Sequence, residues 1–202
     1  MVVRSQALAV ARRPERALPD ADLAEVRANV ALAAGGNAQA FGALYDRYHP
    51  EVLRYFRARV RGAEVAQDLT QQLFLRAWQA IPRYQDRGLP FAAWLFRMAH
   101  NLAVDYFRAH RNTAPLDGVD VASEQAGAAE GLIAGERSAH VQRALDRLSE
   151  DHRQVLILRF VLEKSAREIG LIMGRKEVTV RGLQYRALHA LRAELEAGGE
   201  LP

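Results

Sequence analysis

The sequence predicts an all-α protein: two small helical domains joined by a flexible linker, the C-terminal one a helix-turn-helix. Three observations carry this. Apolar residues recur at three- and four-residue intervals through 37–111 and again through 140–196, and no stretch alternates as a strand does. Aromatics are only 7% of the chain, which fits small helical units better than a β-sandwich. Between the periodic stretches, residues 112–139 hold Pro115, Gly118, Gly127, Gly131 and Gly135 among scattered acids, the composition of a linker.

Taken in order, residues 1–19 are rich in Ala, Arg and Pro without a period and read as a mobile arm. Asp20 or Asp22 caps a helix that Gly35-Gly36 ends near Ala34. Phe41, Leu44, Tyr45, Tyr48, Val52, Leu53, Phe56 and Val60 follow at helical spacing, and Pro50 predicts a kink or a new start near His49. A third helix spans about Glu64 to Ile81, with Val65, Leu69, Leu73, Ala77 and Ile81 as its apolar stripe. Pro82 ends it. Asp86-Arg87-Gly88-Leu89-Pro90 is loop chemistry. A fourth helix spans about Phe91 to Arg111, with Leu95, Met98, Leu102 and Tyr106 inward. These elements make a domain over 20–111.

The linker of 112–139 could reach roughly 90 Å when extended. A second domain over 140–196 follows, then a tail at 197–202. Val141, Leu145 and Leu148 make its short first helix, and Val155, Leu156, Leu158, Phe160 and Leu162 belong to its second. Ser165-Ala166-Arg167-Glu168 is a capping box that starts a third helix, ended by Gly174. The fourth spans about Lys176 to Glu196, with Val180, Leu183, Leu188, Leu191 and Leu195 as inner positions.

Composition removes several function classes. Half the chain is hydrophobic, so it is not wholly disordered. It has no Cys, which rules out disulfides and thiolate metal sites. No apolar run nears the roughly 18 residues of a membrane span, and the first residues lack a signal-peptide core. A cytoplasmic location is expected. The six histidines form no metal-ligand pair, and no P-loop or nucleophile elbow is present. No enzyme, cofactor, metal or small-molecule substrate is expected. The net charge of +4 is unevenly spread. Residues 37–111 carry eleven Arg against six acids, residues 112–139 five acids against Arg137, and residues 140–196 eleven Arg or Lys against eight acids. Two basic blocks around an acidic connector suit a polyanion held at two places.

Three surfaces carry chemistry. A capped helix, a Gly turn and an Arg-rich helix fit a helix-turn-helix, whose second helix puts its N-terminal residues at base edges in the major groove. Those residues are Arg175, Lys176, Glu177, Thr179 and Arg181, with Gln184, Tyr185 and Arg186 one or two turns on; the bland alternative is a helical hairpin with a solvated face. On the helix from Phe91, Trp94, Arg97, Asn101 and Arg108 offer a ring, an amide and cations to unstacked bases, unless Trp94 is simply core. On the helix before it, Asp68, Gln71, Gln72, Arg76 and Gln79, with Phe74, Leu75 and Trp78 close by, form a polar, amide-rich side able to dock a partner, or only a solvated face.

Together, FGALYDRYHPEVLRYFRARV, AQDLTQQLFLRAW and FAAWLFRMAHNLAVDYFRAHR resemble the promoter-melting domain of bacterial sigma factors. The run ALDRLSEDHRQVLILRF, then SAREIGLIMG, then VTVRGLQYRALHALR resembles their second promoter-reading domain. With just these two domains, the chain is similar to the extracytoplasmic-function (ECF, group IV) sigma factors of the sigma-70 family. The resemblance implies binding to core RNA polymerase, through its β′ clamp helices and β flap, promoter DNA as second partner, and an anti-sigma protein as third. It implies that Asp68, Gln71, Gln72, Phe74, Arg76 and Trp78 dock on polymerase. Arg83, Tyr84, Asp86, Phe91, Trp94, Arg97, Asn101, Arg108 and Arg111 would serve the −10 element and its melted strand. Arg175, Lys176, Thr179, Arg181, Tyr185 and Arg186 would serve the −35 element. Lys176 stands where the family usually has Ser or Thr, and Glu163-Lys164 replace a usual Gly-apolar pair. Gln71-Gln72 is less acidic than the common pattern. An ordinary helix-turn-helix repressor would explain 140–196 but leave 37–111 without purpose. An adaptor that binds polymerase without touching DNA would predict no promoter crosslinks around Trp94.

Overall fold

The computed structural model describes residues 20–85, 89–110 and 140–197. The arm, the linker, Asp86, Arg111, the residues after 197 and the side-chain cap expected at Asp20 or Asp22 lie outside the described residues. All the regular structure described is helical: α1 Asp20–Ala34, α2 Ala38–Arg57, α3 Ala63–Ala80 with a 3-10 turn Ile81–Arg83, and α4 Phe91–His110. After these come α5 at 140–147, α6 Glu150–Leu156 widening into a π turn Ile157–Val161, α7 Ala166–Met173 and α8 Glu177–Ala197.

In the first region α1, α3 and α4 pack around α2. Val52, Tyr55, Phe56, Leu73, Ile81, Leu95 and Phe96 are wholly buried at its centre. The Asn37 side chain caps α2, accepting from the Ala40 amide at 3.0 Å. Of the kink or new start expected near His49, the new start does not occur: α2 runs on through Pro50 as one helix. Proline removes one intrahelical donor, but Tyr48, Val52, Tyr55 and Phe56 on either side are buried, and their packing holds the helix together.

In the second region Val155, Leu158, Ile169, Val180 and Ala187 form the wholly buried centre. Arg153, itself buried, donates to the carbonyls of Leu145 at 2.8 Å and Asp146 at 2.5 Å, tying α6 to the end of α5. Leu188, an expected inner position, is outside, exposed by 44%, as are Val141 and Phe160 at 43 and 46%. The π turn, marked by the Leu162 amide donating to the Ile157 carbonyl at 3.1 Å, rotates Phe160 out of register. On α8 the inner row is Val180, Leu183 and Ala187, which leaves Leu188 one position off the seam.

The two regions lie against each other, α7 on α4. Arg59, at the end of α2, is completely buried and ion-paired with Glu150 of α6. The guanidinium groups of Arg59 and Arg153 both lie over the Phe107 ring, at 5.7 and 5.5 Å from its centroid. Lys164 pairs with Glu51 at 2.9 Å and sits over the Phe96 ring.

Candidate nucleic-acid and polymerase interfaces

The helix-turn-helix is built by local chemistry. Ser165 Oγ accepts the Glu168 amide at 3.2 Å while Glu168 accepts the Ser165 amide at 2.8 Å, completing the capping box at the start of α7. Gly174 ends α7 at φ 66°, left-handed backbone that favours glycine. Gly170 sits where the chain doubles back: a Cβ there would stand 2.6 Å from the Arg175 carbonyl oxygen. Only a residue without a side chain lets α8 approach α7 so closely.

Opposite its buried row, α8 exposes Val178, Thr179, Arg181, Tyr185 and Arg186, and Arg175 and Lys176 precede it in the open. Arg175 reaches Asp151 at 2.6 Å, and Arg181 reaches Glu177 at 2.6 Å. Every residue assigned from sequence to the −35 element is thus exposed, on α8 or just before it.

On α4, Trp94 is half-buried. Its ring lies 5.3 Å from both Tyr84 and Phe91. The Tyr84 hydroxyl donates to the Leu89 carbonyl at 3.2 Å, holding this aromatic nest over the 3-10 turn. Arg76, Gln79, Ala80, Arg83, Tyr84, Trp94 and Met98 line an open recess of about 500 Å³. Phe91 is buried, in ring contact with Tyr84 and Trp94. Asn101 and Arg108 are exposed along the next turns, and Arg108 lies 3.9 Å from Asp105. Arg97 does not join them. Its guanidinium donates to the carbonyls of Ile172 at 3.0 Å and Leu171 at 2.6 Å, at the end of α7.

On α3, Asp68, Gln71, Gln72, Leu75, Arg76 and Gln79 are exposed at i, i+3, i+4 spacing and share one face. Phe74, expected on that surface, is buried against Tyr45 and His49 and supports the helix from behind. Trp78 is partly buried against Phe41, 5.0 Å between rings. Leu75, read from sequence as lying close by this face but absent from the residues the resemblance implies, is 58% exposed and is the apolar centre of the face.

Residues 44–113 match the family described as sigma-70 region 2, and residues 144–193 match sigma-70 region 4. The chain is 34% identical over 183 residues to the ECF RNA polymerase sigma factor BldN of Streptomyces coelicolor, covering 89% of this chain and 68% of that protein. It is 35% identical over 178 residues to SigD of Mycobacterium tuberculosis H37Rv, covering 85% of this chain and 84% of that one. The chain is an ECF sigma factor of the sigma-70 family. It directs RNA polymerase to promoters and is not itself an enzyme. Among solved structures it resembles CnrH in complex with the cytosolic domain of CnrY, with a TM-score of 0.65 and 28% identity, covering 86% of this chain and 98% of that one. The sigma factor shows no group of His, Cys, Asp or Glu able to hold a metal ion among the described residues. No helix there is long and apolar enough to cross a membrane.

Proposed function

We propose that this sigma factor docks on the β′ clamp helices through the α3 face, with Asp68, Gln71, Gln72 and Arg76 around Leu75 and Trp78 at its edge. Region 4 sits near the β flap. The recess bounded by Arg83, Tyr84 and Trp94 takes a flipped base of the −10 element, and Asn101, Arg108 and Arg111 guide the melted strand. Arg175, Lys176, Thr179, Arg181, Tyr185 and Arg186 face the −35 element, with Lys176 on backbone phosphate.

The observation that carries this reading is the continuity of α3 with the recess. Arg76 belongs both to the α3 face and to the recess lining. A polymerase element seated on α3 therefore lies beside the place where bases leave the stack. Unstacking costs a few kcal/mol per base. A recess with an indole wall, a phenol and two guanidinium groups offsets that cost by stacking and charge. Docking also fixes both DNA-reading units on one host, so the second contact becomes nearly intramolecular. An anti-sigma protein completes the partner set, on the likeness to CnrH, which was solved with CnrY.

Run-off transcription with purified core polymerase, followed by sequencing of transcript 5′ ends, tests the reading. Specific starts with core alone are expected. Failure to form a complex with core would leave a helix-turn-helix repressor as the better description. Promoter crosslinks absent around Trp94 would leave an adaptor.

A further inference from the structure

On the reading that α8 lies in the major groove of the −35 element, we propose that Val178 and Gly182 form a specificity-determining pair that reads thymine methyl groups.

Val178 is 81% exposed, more than any other large apolar side chain among the described residues. It stands in the first turn of α8, the part of a recognition helix that meets base edges. An isopropyl group in water does nothing for the fold. It has no donor or acceptor, so it cannot pair with the polar edges of guanine, cytosine or adenine. Thymine alone among the four bases offers a methyl group in the major groove.

Gly182 lies one turn farther along the same face. Glycine weakens a helix interior, so its presence needs a reason, and packing supplies none. A Cβ added there would meet only the Arg186 Nη1 atom, at an ordinary 3.7 Å. Gly170 is the contrast, since its missing side chain is required by the Arg175 carbonyl 2.6 Å away. What remains for Gly182 is close approach of backbone to a ligand. With no side chain at 182, the helix seats deeply enough to press Val178 onto a base-pair edge. Arg175, Lys176, Arg181 and Arg186 surround the pair in the open and match a polyanion rather than an apolar protein surface.

The test uses holoenzyme assembled from the full chain and Streptomyces coelicolor core polymerase, on a promoter found by 5′-end mapping. Each −35 thymine is replaced in turn by deoxyuridine, which removes only the methyl. The wild type is expected to lose about fourfold in affinity at one or two positions, the value of one buried methyl-sized group. Val178→Ala should bind thymine and deoxyuridine promoters alike. Gly182→Ala should raise Tm by about 2 °C while lowering promoter affinity. Deoxyuridine that is silent everywhere, a −35 element without thymine, or discrimination retained by Val178→Ala would overturn the proposal. So would unchanged promoter affinity in Gly182→Ala. A Val178→Ala protein indistinguishable from wild type on DNA would leave Val178 to a protein contact. Arg186→Ala separates the levels. If it weakens promoter binding while the methyl test fails, only the present proposal falls; if it too is silent, the groove placement of α8 falls with it.

Discussion

Gly170 and Glu163 show how single residues set the helix-turn-helix. A Cβ at Gly170 collides with backbone at 2.6 Å, and backbone cannot swing aside as the tip of a side chain does. Gly170→Ala should therefore destabilise the full chain by about 1–3 kcal/mol, the usual range for overpacking, read as a lower urea midpoint. Ser165 and Glu168 would still cap α7, so the helix forms and only its return to α8 suffers. Glu163 is the reverse case. It adopts φ 54°, a left-handed conformation that costs an L side chain roughly 1 kcal/mol or more. The position sits between the π turn and Lys164, whose amide donates to the Leu158 carbonyl at 2.9 Å, so the backbone has little freedom to escape. Glu163→Gly should raise the thermal midpoint by about 2 °C. An unchanged or lower midpoint would mean that the side-chain contacts of Glu163 outweigh its backbone strain.

At the scale of elements, α3 carries the test of core binding. Leu75 is more than half exposed and contributes little to the core. Leu75→Asp should leave stability within about 0.5 kcal/mol, as surface changes do, and weaken core polymerase binding by about 2 kcal/mol if it is an interface anchor. Titration of labelled core against the folded variant measures this, and equal affinity would remove α3 as the docking face. The helices themselves were legible because their signals are local: apolar spacing on α3 and α4, Gly35-Gly36 after α1, the Ser165 capping box on α7. The exposed side of α8 was legible for the same reason, since α8 has one buried row, Val180, Leu183 and Ala187, and the positions opposite it are open. What failed depended on tertiary packing. Pro50 reads as a break until Tyr48 and Val52 are seen to be buried on both sides of it. The hold of α7 on Arg97 lies beyond sequence for the same reason, because nothing near Arg97 announces carbonyl partners at Leu171 and Ile172. Phe74 reads as surface because its neighbours on α3 are, while its ring partners come from α2.

Across the whole molecule, the packing of the two regions holds Arg97 at the end of α7. On the proposed reading of α4 as the surface for the −10 element, its guanidinium is freed for a melted strand only after the regions part. The junction has a group that senses acid. His100 on α4 is partly buried, with Nδ1 3.4 Å from the Glu150 carboxylate that also pairs with Arg59. Burial pushes the imidazole below its ordinary 6.5, and the Arg59 charge acts in the same direction, against Glu150 and Asp151. The packed state thus favours neutral His100. A depressed pKa means its contribution is complete above about 6.5 and declines as pH falls towards the lowered packed-state value. Acid should loosen the junction, not tighten it, because a proton on His100 adds a cation beside the fully buried Arg59. Arg61 with Asp146 at 3.0 Å and Gln142 with the Ala58 carbonyl at 3.3 Å are other contacts between the regions, and neither holds an imidazole. Small-angle scattering of the full chain should show a larger radius of gyration at about pH 5.5 than at about pH 7.5, and the increase should shrink in His100→Gln. If the variant expands as much as the wild type, another group governs the junction. If neither expands, the packing of α7 on α4 survives protonation of His100, and release of Arg97 must await a partner that binds the open form more tightly.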